Sequence, residues 1–130
     1  MGKSIEEMCR LVTGRGAWHI GDIRVSDGPH GIRAQEDGAK NNDSYEATCF
    51  PTACSAACSW DNKLIGKMVE GLAKEAKALG VSVVLGPGVN IKRSPLCGRN
   101  FEYYSEDPFL AGELAASYIT AMQKCGVGTS

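Results

Sequence analysis

Two short polar clusters hold the side chains best suited to chemistry. They are Ser26-Asp27-Gly28-Pro29-His30-Gly31-Ile32-Arg33 and Arg93-Ser94-Pro95-Leu96-Cys97-Gly98-Arg99-Asn100-Phe101-Glu102. Each offers a carboxylate and a guanidinium, groups whose charged hydrogen bonds contribute roughly 1.5 to 3 kcal/mol each in a water-poor pocket. Each also follows an apolar run, Ile23-Arg24-Val25 in one case and Val81-Ser82-Val83-Val84-Leu85 in the other. Both clusters therefore stand where a buried parallel strand would end, on the loops that α/β folds use for binding and catalysis. A purely structural reading stays open beside the functional one. Asp27 suits the start of a Gly-Pro turn, and Arg99 suits pairing with Glu102 or Asp107.

The elements that must position these loops are legible from periodicity. Lys3 to Leu11 carries Ile5, Met8 and Cys9 at helical spacing, continued by Val12, with Ser4 as N-cap and Gly14 as stop. Ile23-Arg24-Val25 reads as a strand tip entering the Asp27-Gly28-Pro29 turn. Residues 33–48 are expected to be an exposed loop, polar from Gln35 to Thr48 and the most mobile stretch of the chain. From Trp60 to Leu79 the residues Leu64, Ile65, Met68, Val69, Leu72, Ala73 and Ala76 form one apolar stripe. Lys63, Lys67, Glu70, Lys74 and Lys77 face water, Asp61 caps the start and Gly80 the end. Val81 to Leu85 is apolar and β-branched, which suits a parallel strand covered on both faces. A second long helix opens with Asp107 as cap and Pro108 in its first turn, with Leu110, Leu114, Tyr118 and Met122 as its stripe. Gly126 ends it, and Val127 starts another apolar segment. The order is successive right-handed βα units.

Bulk properties bound the function. The 130 residues fit one small domain able to bury a core. Fourteen basic and fifteen acidic residues leave a net charge of -1, so neither nucleic acid nor an anionic membrane surface is an expected partner. No apolar run nears the roughly 20 residues of a membrane span, and the start lacks the apolar segment of a secretory signal. A cytoplasmic location is expected. Cys9, Cys49, Cys54, Cys58, Cys97 and Cys125 are expected to be free, partly buried thiols, because the spacing Cys49-x4-Cys54-x3-Cys58 is not that of a zinc site. Gly86-Pro87-Gly88 lacks the Lys-Ser or Lys-Thr pair of a phosphate loop, and no cofactor is expected.

Five segments in fixed order resemble one family. They are Asp27-Gly28-Pro29-x-Gly31-Ile32-Arg33, Cys49-Phe50-Pro51-Thr52, the helix opening at Trp60-Asp61, Leu85-Gly86-Pro87-Gly88-Val89-Asn90-Ile91, and Arg93-Ser94-Pro95-x-x-Gly98-Arg99-Asn100-Phe101-Glu102 with Ser105-Glu106-Asp107-Pro108. Together they resemble the amino-terminal part of glycoside hydrolase family 3, the β-glucosidases, from about Leu11 to Ser130. The resemblance implies an α/β fold, a partial TIM-type (β/α)8 barrel of about two βα units and the start of a third strand. It implies hydrolysis of terminal non-reducing β-D-glucosyl residues, with a β-glucoside or glucose as ligand.

Three substrate-binding residues carry over. Asp27 matches the aspartate that accepts hydrogen bonds from glucose hydroxyls, while Arg33 and Arg99 match arginines lining the same pocket. The chemistry is sound in itself, since a carboxylate accepts from two vicinal hydroxyls and a guanidinium donates in a fixed fork. No catalytic residue carries over. The family's nucleophile is an aspartate in a Ser-Asp-Trp context on a later strand, and this sequence has only the reversed order at Trp60-Asp61. The acid/base belongs to a second domain, and the family's Lys-His pair would follow Ser130. The chain alone is therefore expected to be inactive, the alternative role being a noncatalytic remnant with weak sugar binding or partner association. Between His19 and Ile23 the chain is shorter than the family pattern.

Several other residues are assigned ordinary structural roles. Glu102 is expected to pair with Arg99 or a loop amide, and Trp18 and Trp60 to fill core beside element ends. His30 receives no role. Parallel strands without their barrel neighbours leave open edges, so self-association is expected.

Overall fold

A computed structural model describes residues 2–13, 19–20, 23–35 and 44–130. Helix α1 spans Ile5–Thr13 and opens with a reciprocal cap. The Glu7 N–H donates to Ser4 Oγ at 3.2 Å, and the Ser4 N–H donates to Glu7 Oε2 at 2.7 Å. The Ser4 amide bond, aided by the Ser4 side chain, holds the Glu7 carboxyl below its ordinary value. The apolar residues Ile5, Met8 and Cys9 of this helix are exposed. Gly14, Trp18 and most of the polar stretch after Gln35 lie outside the described residues.

Four strands form one sheet in the order β1-β2-β3-β4. β2 (Ile23–Asp27), β3 (Val83–Leu85) and β4 (Gly128–Thr129) are parallel, with Val25, Ser26 and Asp27 opposite Val83, Val84 and Leu85. The two-residue β1 (His19–Ile20) pairs antiparallel with β2, an addition that its short sequence did not signal. The strand expected from Ile23 to Val25 runs two residues further, which carries Asp27 to the strand's last position.

Helix α3 (Asn62–Ala78) and helix α4 (Pro108–Lys124) pack side by side and bury Ile65, Val69, Leu72, Ala73 and Ala76 of the first stripe and Leu114, Tyr118 and Met122 of the second, whereas Leu64, expected in the first stripe, is 51% exposed. Their starts follow the expected chemistry. Asp61 Oδ1 accepts from the Lys63 and Leu64 amides at 2.8 and 3.1 Å. Asp107 accepts from Phe109 and Leu110 at 3.0 and 3.4 Å, with Pro108 in the first turn. Gly80 and Gly126 close the two helices in left-handed conformations. The core is built from Ile65, Val69, Leu72, Leu114, Tyr118 and Met122 together with Val84 of β3.

Three expectations are corrected. The segment Val81–Leu85 is not covered on both faces: Val84 is fully buried, but its neighbours Val83 and Leu85, which point the other way, are only partly covered, Leu85 being 36% exposed. The helices cover one side, and the other side of this three-strand parallel array is open, as befits an arc of a barrel. Trp60 does not fill core. It is 73% exposed at φ 52, in the turn between α3 and the five-residue helix α2 (Ala53–Ala57). That short helix had no periodic signature in the sequence, being mostly alanine and cysteine. The six cysteines are free, but four of them are exposed and only Cys54 and Cys125 are partly buried.

Candidate functional site

Asp27 stands at the end of β2, opposite Leu85 at the end of β3. Because side chains alternate along a strand, Asp27 points away from buried Ser26 and toward the open face. Its Oδ1 accepts the Gly28 amide at 3.0 Å, so the turn-initiating role is real, yet the residue stays exposed. Gly28 has φ 134, and a Cβ there would lie 2.1 Å from Gly31 O. Only glycine permits this return of the chain. The return brings the Arg33 amide to Asp27 O at 2.9 Å and places the two residues side by side in an antiparallel bridge. Buried Ile32 and Ala34 anchor the segment around exposed Arg33. His30 O accepts from the Phe50 amide at 2.7 Å, which ties the loop to the segment leading into α2.

The second cluster is held by close backbone approach. Gly88 pairs with Tyr103, and a Cβ on Gly88 would meet Glu102 O at 2.7 Å. This contact ties the short 3-10 helix Asn100–Glu102, which packs against the 53–57 segment, to the chain three residues beyond β3. Asn100 Nδ2 donates to Ser94 O at 2.8 Å and closes the loop on itself. Arg99 Nε bonds Glu102 Oε1, an ion pair in which the Arg99 side chain is 73% exposed and Glu102 16%. That hydrogen bond raises the Arg99 pKa above its ordinary value, and Asp27 is close enough to add to the shift.

The two loops meet through His30. Its ring stands 6.2 Å from the Phe101 ring, tilted by 56°. Burial pushes the imidazole below its ordinary value, against smaller opposing pulls from Glu102 and Asp27. His30 Nε2 is buried without a hydrogen-bond partner among the described residues. Asp27 and Arg33 are thus joined through the backbone, while Arg99 shares an electrostatic neighbourhood with Asp27 at the same end of the sheet. Sequence reasoning gave His30 and Phe101 no role. Their only signal was position, one inside each cluster. Glu102 pairs with Arg99, as its spacing implied.

A cavity of about 710 Å³ lies between α2 and the 92–106 segment, with Arg93, Ser94, Pro95 and Asn100 of the second cluster on its wall. Among the described residues, no group of three or more His, Cys, Asp or Glu side chains is disposed to hold a metal ion. No described helix is long and apolar enough to cross a membrane.

Known proteins match this arrangement. The family model for the glycosyl hydrolase family 3 N-terminal domain matches residues 29–130, and the chain belongs to that family. It is 50% identical over 136 residues to thermostable beta-glucosidase B of Acetivibrio thermocellus, covering 96% of this chain and 18% of that protein. It is 45% identical over 139 residues to an exo-alpha-(1->6)-L-arabinopyranosidase of Bifidobacterium longum, covering 98% and 18%. The fold matches the crystal structure of a family 3 beta-glucosidase from Bifidobacterium adolescentis with a TM-score of 0.79 and 44% identity, over 98% of this chain and 19% of that one. Beta-glucosidase 3B of Thermotoga neapolitana, solved with glucose, matches with a TM-score of 0.74 and 41% identity, over 82% and 15%. The chain therefore spans about a fifth of the length of the curated relatives it matches.

Proposed function

We propose that this chain supplies the hydroxyl-reading side of a β-glucosidase site, recognising the terminal non-reducing glucosyl unit through Asp27, Arg33 and Arg99. The observation that supports this reading is that Asp27 ends β2 with Arg33 bridged beside it, while Arg99 is within electrostatic reach of Asp27. Asp27 accepts from two vicinal hydroxyls; the arginines donate to the same ring and fix its orientation. Each such charged bond contributes roughly 1.5 to 3 kcal/mol where water is excluded. The glucose bound in the Thermotoga relative's crystal supports sugar as the ligand class.

The 130 residues do not hydrolyse a glycoside by themselves. Retaining hydrolysis needs two carboxyls about 5 to 5.5 Å apart, one nucleophilic and one acid/base. Two acidic groups of the 93–107 segment are otherwise engaged: Glu102 with Arg99, and Asp107 as the cap of α4. Asp27 Oδ1 accepts the Gly28 amide, and among the described residues no second carboxyl is hydrogen-bonded to Asp27. Purified chain assayed on an aryl β-glucoside is expected to show no turnover above background. Turnover that disappears on Asp27→Ala would overturn this reading and give the chain a chemistry of its own.

A further inference from the structure

The cavity between α2 and the 92–106 segment has a pair of thiols on its wall. Cys54 lies inside α2 and Cys58 is its C-cap residue, four positions on. Side chains four apart on a helix lie on one face with their Cβ atoms about 5 to 6 Å apart. Both line the cavity. The Cys58 thiol donates to the Cys54 backbone carbonyl at 3.2 Å, which seats its sulfur against the last turn of α2. Cys54 Sγ lies 3.3 Å from Thr52 Oγ1, at the opposite end of the helix. Cys58 is exposed, Cys54 is partly buried, and both are free. Around them the wall includes Trp60, Tyr104 and Leu110 as apolar surface. A dithiol beside an aromatic-lined hollow has a defined chemical preference: a soft centre that takes two thiolates and carries an aryl group.

We propose that Cys54 and Cys58 form a two-thiol capture site for a trivalent aryl arsenical, with the aryl group lying against Trp60 and Leu110. The reaction is a ligand exchange. Two S–H bonds and two As–O bonds break, two As–S bonds form, and the hydroxyls leave with the thiol protons as two waters. Arsenic stays trivalent, so no oxidant or reductant is required. Soft thiolate ligands select soft centres, which gives the pair its preference over hard cations. The second thiol binds intramolecularly, which strengthens capture by roughly a hundredfold or more over a single cysteine. None of the remaining cysteines has a second cysteine within one helical turn of it. The thiol pair takes no part in the sugar-binding reading, although Arg93, Ser94, Pro95 and Asn100 of the second cluster line the same cavity.

The test is titration of the 130-residue chain with phenylarsine oxide in the presence of a monothiol, read by non-denaturing mass spectrometry. One equivalent is expected to bind with loss of two waters from the hydrated arsenical. Cys54→Ser and Cys58→Ser should each weaken capture by roughly a hundredfold, while Cys49→Ser leaves it unchanged. In the unsubstituted chain, bound arsenical should protect Cys54 and Cys58, and no other pair, from iodoacetamide, a readout that survives even if a serine variant folds poorly. Capture that persists in both serine variants, or protection of a different pair of cysteines, would overturn the proposal.

Discussion

His30 joins the two loops, and its environment gives it a measurable signature. Burial lowers its pKa from the ordinary 6.5, with Glu102 and Asp27 opposing that shift only in part. The unfolded chain therefore takes up a proton that the folded chain resists. Stability contributed by neutral His30 is fully present above about pH 6.5, falls as pH drops through the window between the unfolded and folded values, and levels off below it. Urea unfolding followed from neutral pH downward should show this loss, and His30→Gln should flatten that part of the profile. A profile unchanged by the substitution would mean that His30 is solvated like a surface histidine. At this scale the motif singled out Asp27, Arg33 and Arg99 as expected binding residues, and the structure sets Asp27 beside Arg33. His30 was not readable, since its significance depends on Phe101 and Glu102 arriving from some seventy positions away.

The elements owe their placement to local signals of uneven strength. Asp61 and Asp107 each satisfy two amides at the start of a 17-residue helix. Replacing either by alanine should cost about 1 kcal/mol, within a range of roughly 0.5 to 2, in denaturant unfolding. The two losses should be nearly additive, since the caps serve different helices. A null effect at either position would show that the helix end is held by packing alone. Long amphipathic periodicity, paired with a cap at one end and glycine at the other, made both helices legible. The same reading overestimated β3, because an apolar β-branched run looks alike whether one face or two are covered. It also missed α2, whose five residues are too few to show a helical period, and β1, whose two residues exist only by pairing with β2. Trp60 was misplaced for a related reason: an aromatic next to an element end is ordinarily buried, but here it follows α2 in a left-handed turn conformation that turns it outward.

The described residues form an open sheet in which β2, β3 and β4 run parallel, with α3 and α4 packed in one core with Val84. Val83 and Leu85 remain partly uncovered on the other side, and Phe101, Phe109, Leu96 and Ile5 are exposed. Unpaired strand edges and uncovered apolar faces favour pairing with another chain. Sedimentation of the 130-residue chain should therefore show concentration-dependent self-association. A monodisperse monomer with a sharp cooperative thermal transition would show that the arc closes its own core.

The claim that this arc reads sugar hydroxyls is tested most directly by titrating the isotopically labelled 130-residue chain with D-glucose and following the backbone amide resonances. Weak binding is expected, because one side of a pocket gives few simultaneous contacts, and the shifts should cluster at 27–33 and 99–102 and vanish in Asp27→Asn. Saturation that leaves those two loops unmoved, or that persists unchanged in the variant, would contradict the account.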